Sequence, residues 1–215
     1  MSKVYIHVVR YDFGFAPNPF HGVCTFACCM PVIRRTAKVG DWLIGMGGRD
    51  LKATGRCIFA MRVTNHLSFN EYWSSEQFRC KRPVRHGSRR AMVGDNIYRT
   101  DSKSGKWLQE NSVHSQPNGE QDLPNTEHDT ETDRVLISEE FFYFGENAPV
   151  VPAKLLESID YKNGRGQRVY KQEDCQSLLD WIKAKAGQQV NRVLGDPFQF
   201  RMSDKRYSRT RNRLI

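Results

Sequence analysis

The sequence contains no run of roughly 18 apolar residues, which excludes a hydrophobic transmembrane helix and any expected membrane partner. Its opening, Met1-Ser2-Lys3-Val4-Tyr5, has no charged segment followed by an apolar one. No secretory signal is read there, and the expected location is cytoplasmic. The six cysteines, at 24, 28, 29, 57, 80 and 175, are then expected as reduced thiols. A Walker lysine-serine pair is missing, and so is a Gly-x-Gly-x-x-Gly in a strand–helix context. Gly45-Met46-Gly47-Gly48 and Gly164-Arg165-Gly166-Gln167 would let backbone approach an anion, but P-loop hydrolysis is disfavoured. His21, Cys24, Cys28 and Cys29 invite a zinc reading that fails on two counts. Adjacent cysteines on a strand face opposite ways, and no second cysteine pair follows. No metal and no cofactor is expected. Internal repeats are also absent.

Basic charge is plentiful. With 33 Lys and Arg against 24 Asp and Glu the net charge is +9, which favours a polyanion and nucleic acid first. Solubility alone is the blander use of such charge. The charge is also segregated. Arg79, Lys81, Arg82, Arg85, Arg89 and Arg90 have no acid among them, whereas Glu110 to Glu140 is acidic except for Arg134. The C-terminus, from Arg201 to Arg213, is basic against Asp204 alone.

Tyr11-Asp12-Phe13-Gly14-Phe15-Ala16-Pro17-Asn18-Pro19-Phe20 is unusual in another way. Four of its ten residues are aromatic, and two prolines and a glycine forbid a regular helix or strand. Loops normally lie in water. An aromatic one either folds onto a core or lines a pocket, where a flat base would stack. Tyr11, Phe13, Phe15 and Phe20 are the candidate rings. Asp12 and Asn18 either read a base edge or cap the loop's own amides.

Periodicity predicts strands over 3–9, 23–29, 42–46, 55–64, 134–138 and 141–144. Ser68 and Glu71 have capping-box spacing, which predicts a helix to about Phe78. Further helices are predicted over 152–159 and 172–186, the second stopped by Gly187. Residues 99–133 form a long polar excursion, and the chain after Asp204 reads as a mobile tail. Strands not regularly interleaved with helices give an α+β fold, best fitted by a twisted, partly closed β-barrel. One domain is expected over 1–200, with a basic tail over 201–215. Asp95-Asn96 and Ser112-Val113-His114-Ser115 hold polar groups suited to acid–base chemistry, if His114 reaches Asp95 or a serine. The alternative is a hydrogen-bonded network closing the excursion.

The Val39-Gly40-Asp41-Trp42 turn into a strand resembles that of PUA-like barrels, the group of EVE, YTH and ASCH domains. There the fold binds RNA or modified bases in an aromatic-lined pocket. A wider resemblance covers nearly the whole chain. The run His7 to Phe20, then Val39-Gly40-Asp41-Trp42, Gly94-Asp95-Asn96-Ile97-Tyr98, Asp133 to Gly145 and Leu194-Gly195-Asp196-Pro197 is similar to the second type of nucleotide-modification-associated domain. That family is bacterial and viral. The resemblance implies a PUA-like α+β fold that binds a nucleotide or modified nucleobase, free or flipped from nucleic acid, in a modification, conflict or phage-defence system. Trp42, Asn96 and Tyr98 would join the aromatic loop in holding the base. Arg10, Arg34, Arg35, Arg82, Arg85, Arg89, Arg90 and Arg165 would take phosphate. Two other classes stay open: an enzyme acting through His114 and Asp95, and an adaptor whose aromatic loop is a protein interface.

Overall fold

The computed structural model describes residues 2–215. Its main sheet has six strands: β1 (Lys3–Val9), β3 (Trp42–Gly47), β4 (Cys57–Arg62), β9 (Glu140–Tyr143), β10 (Gln167–Lys171) and β11 (Arg192–Val193). Their order is β10-β1-β3-β4-β9-β11, with β1–β3 and β9–β11 parallel and the other pairs antiparallel. The sheet stays open between β10 and β11, so the expected partly closed barrel is not found among the described residues. What forms is a mixed α/β fold.

A second sheet joins β2 (Cys24–Phe26), β8 (Val135–Ser138) and β5 (Asn65–Leu67) in that order. The two-residue period of a strand explains its place. Leu136 faces one apolar core, built on the main sheet and α6 (Gln176–Ala186). Val135 and Ile137 face another, which gathers Phe13, Phe15, Phe20, Phe69, Tyr72 and Tyr98. Strand β3 is buried at all six positions, between neighbours on both sides. Gly45 is required there, because a Cβ would stand 2.1 Å from the Phe59 ring.

The remaining helices are short: α1 (Pro31–Thr36), α2 (Phe69–Ser74), α3 (Arg89–Met92), α4 (Leu123–Asp129) and α5 (Ala153–Glu157). The capping box at Ser68 and Glu71 forms as expected and starts α2. None of the described helices is long and apolar enough to cross a membrane.

Three local expectations change. The strand expected over 23–29 stops at Phe26, and Cys29 and Met30 then take φ of 62° and 40° in a tight turn into α1. The polar excursion is ordered. It holds the hairpin β6 (Tyr98–Thr100) with β7 (Trp107–Gln109), buried residues 112–115 and α4. The expected mobile tail is a hairpin, β12 (Tyr207–Ser208) with β13 (Arg213–Leu214), and Tyr207 N–H donates to Val113 O at 2.8 Å.

Candidate functional site

A hollow of about 270 Å³ opens at the C-terminal end of β1. Its walls come from the end of β1 and the loop after it, Phe26 of β2, the turn before α1, Val113-His114 and His128 of the excursion, and Tyr207 with Arg209 of the terminal hairpin. Tyr11, Phe13, Phe15, Phe26 and Tyr207 line it. Gly14 lets the loop turn back at φ 74°, and a Cβ there would meet Phe20 at 2.8 Å.

The loop is tied down from inside. Asp12 accepts from the Tyr143 hydroxyl and from Phe198 N–H at 3.0 Å. Burial raises the Asp12 carboxyl to about 6, although both bonds favour its charge. Asn18 Nδ2 donates to Gly14 O at 3.1 Å and Val93 O at 2.9 Å. Both polar groups therefore hold the loop's shape rather than line the hollow, which is the capping alternative for these two residues.

Three groups meet at one wall. His114 Nδ1 lies 2.7 Å from Asp129 Oδ2, and Cys29 Sγ lies 3.8 Å from His114 Nε2. Asp129 also accepts from Cys29 N–H at 2.7 Å and the Tyr98 hydroxyl at 2.9 Å. Burial opposes charge on His114, but Asp129 and then Cys29 outweigh it and raise the imidazole to about 10. Burial likewise opposes charge on Asp129, yet His114, Arg34 and the Cys29 amide bring it down to about 2. Phe15 stands edge-on to the imidazole with ring centres 4.7 Å apart. Cys28, His114 and Asp129 place potential metal donors within 4.8 Å of one another. There, however, the imidazole and carboxylate already meet at hydrogen-bond distance, and the Cys28 thiol is turned to Asp95 O at 3.8 Å.

The other expected residues separate. Asp95 does not meet His114. It accepts from Thr25 and Tyr72, each at 2.7 Å, in a buried network with Lys81. Asn96 donates to Tyr72 O and Phe78 O. Trp42 stacks on Phe142 in the main core, and Phe20 on Phe200 in the second. Tyr98 reaches the site only through Asp129.

Among the arginines, Arg34 is fully buried and donates to the carbonyls of Cys29, Asp129, Thr132 and Arg134. It pins the excursion to the Cys29 turn, which corrects its assignment to phosphate. Arg82 lies over Trp73, and Arg85 binds the carbonyls of Met92, Ser203 and Asp204. Arg35, Arg89 and Arg90 are exposed, outside the lining of the hollow. Arg10 and Arg165 line one space, where the Arg10 guanidinium is paired with Asp50 at 2.7 Å. A wider hollow of about 580 Å³ shares Val8, Arg10 and Met30 with the first and adds Arg49 and Arg165.

Cys29, Asp129, His7 and Tyr207 are site residues that sequence reasoning did not assign. His7 lines the hollow with its Nδ1 unpartnered among the described residues. Burial pushes it down to about 4 from 6.5. The unfolded chain then takes up a proton that the fold refuses, so stability falls as pH drops from about 6.5 toward 4. Asp12 acts in the opposite sense, so a variant isolates the effect. Relative to wild type, His7→Gln is expected to gain up to roughly 3 kcal/mol between neutral pH and pH about 4 in urea unfolding. Parallel curves would show that the ring is not held neutral.

Fold and site together define a mixed α/β protein with a preformed aromatic hollow at the end of an interior strand. The chain belongs to the nucleotide modification associated domain 2 family, whose model matches residues 1–204. That membership points to a role in nucleotide-modification systems. No curated protein and no solved structure matches the chain.

Proposed function

We propose that the aromatic hollow binds the base of a nucleotide or modified nucleotide, with its phosphate in the adjoining arginine-lined hollow. The observation that carries this reading is that the two hollows are neighbours, with Val8, Arg10 and Met30 in the walls of both. Rings supply stacking surface for a base, and guanidiniums suit phosphate. A volume of about 270 Å³ sits near the ~300 Å³ lower end of ligand pockets, which suits one base rather than several.

Titration of mononucleotides by calorimetry tests the reading. Tyr11→Ala and Phe15→Leu are expected to weaken binding about 10-fold, within the ~1–3 kcal/mol of a base–aromatic stack. Arg165→Ala should weaken a nucleotide but not its nucleoside. Trp42→Phe, remote from the hollow, should bind as wild type does. Equal affinity in wild type, Tyr11→Ala and Phe15→Leu would place the ligand elsewhere.

A further inference from the structure

We propose that Cys29, His114 and Asp129 form a nucleophilic triad that removes an acyl group from the exocyclic amino nitrogen of the bound base. The substrate side of this inference rests on the nucleotide reading above; the triad rests on geometry. Sulfur, imidazole and carboxylate follow one another at 3.8 and 2.7 Å, with the thiol and imidazole on the wall of the hollow. This is the order nucleophile, base and orienting acid.

The backbone supports the assignment. Cys29 and the following Met30 are both held at positive φ, between β2 and α1. Non-glycine residues in that region cost energy and persist only where surroundings over-determine them. Here the surroundings are Asp129 on the Cys29 amide and Arg34 on its carbonyl. A strained strand-to-helix turn is a known way to present a nucleophile. Cys24, Cys28, Cys57 and Cys175 are buried, so Cys29 is the thiol offered to this space.

The chemistry follows from these groups. Three of the four common bases carry an exocyclic amino group, and an amine leaves an acyl carbon only when it is protonated. Cys29 Sγ, its proton held on His114 Nε2, adds to the acyl carbon. The S–C bond forms, the C–N bond breaks, and the Nε2 proton passes to the departing nitrogen. Water then adds to the thioester carbon and gives one proton to Nε2. The S–C bond breaks, that proton returns to sulfur, and the acyl group leaves as a carboxylic acid. The sum is amide plus water giving amine plus acid. Asp129 touches no reacting atom in this scheme; it is a positioning residue that fixes the ring.

Two measurements on the intact protein test the proposal. First, 4-nitrophenyl acetate is added, and the acetylated residue is located by peptide mass spectrometry. In samples quenched with acid during the first turnover, before water releases the acyl group, wild type is expected to acetylate Cys29 faster than exposed Cys80, with the excess lost in His114→Gln. Second, N4-acetyl-deoxycytidine monophosphate is supplied, and dCMP is followed. Its formation should fall by about 100-fold or more in Cys29→Ser and His114→Gln. Wild type should also bind the product, dCMP. Equal acetylation of Cys29 and Cys80, unchanged in His114→Gln, would overturn the triad. Binding of dCMP without consumption of the acetylated nucleotide would overturn the reaction and leave the nucleotide pocket standing. Failure of every nucleotide to bind, with Cys29 still selectively acetylated, would overturn the substrate and leave the triad.

Discussion

Lys81→Met is expected to destabilise the protein by about 3–5 kcal/mol, because it breaks a buried charge cluster from one side. Lys81 is 1% exposed. Its ammonium donates to Asn18 O and Asn18 Oδ1, each at 2.9 Å, and to Val23 O at 2.6 Å. Burial lowers its pKa, and Asp95 works against that shift. Methionine fills the space but satisfies none of the three oxygens. It also leaves Asp95, already raised by burial, without its counter-charge. The damage would reach the site through Asn18, whose amide holds the aromatic loop. Urea unfolding at neutral pH is the measurement. Lys205→Met, at an exposed position, should stay within about 0.5 kcal/mol of wild type. A loss below about 1 kcal/mol for Lys81→Met would show that the cluster does not hold the loop.

Asp129→Asn should be comparably severe, at about 3 kcal/mol or more. The carboxylate faces three donors: the Cys29 amide, the Tyr98 hydroxyl and His114 Nδ1. An amide has one oxygen for them and turns its own N–H groups toward the rest. The variant also carries a pH signature that packing alone would not produce. His114 is raised to about 10 in the fold against 6.5 unfolded, chiefly by Asp129 once burial is overcome. Its stabilisation is complete below about 6.5 and is lost as pH rises through about 10. Asp129, depressed to about 2 from 3.8, gives stability that is lost only as pH falls through about 2. Wild type should therefore weaken between pH 7 and pH 10, and Asp129→Asn should show a flatter profile over that window. Urea midpoints across the range decide it, and identical slopes would mean that the pair does not titrate as a unit.

The parts of this molecule legible in its sequence are those with a local cause. Strands β1, β3 and β4 follow from short apolar runs, and the start of α2 from the reach of Glu71 back to Ser68. The aromatic loop stood out by composition, and Tyr11, Phe13 and Phe15 do line one hollow. Phe20 instead stacks on Phe200, a partner far along the chain that no residue count reveals. The pairing of His114 with Asp129 was hidden for a similar reason. The two are joined through a loop and a short helix that impose no period, whereas Asp95 drew notice by lying in a motif. Sequence weighs Cys29 only as a zinc ligand and sets it aside because adjacent cysteines on a strand face opposite ways; the strand ends three residues earlier. Sheet closure is not legible in sequence, because β10 and β11 are edge strands paired on one side only, a property of long-range contacts.

The central claim is that a nucleotide base occupies the aromatic hollow against Cys29. Protection of that thiol measures it directly, and Cys80, exposed and remote in sequence, serves as the internal control. The protein is alkylated with iodoacetamide at increasing mononucleotide concentration, and both cysteines are quantified by peptide mass spectrometry. Cys29 modification should slow along the binding curve while Cys80 modification stays constant. An unchanged Cys29 rate at a nucleotide concentration that saturates binding would contradict it.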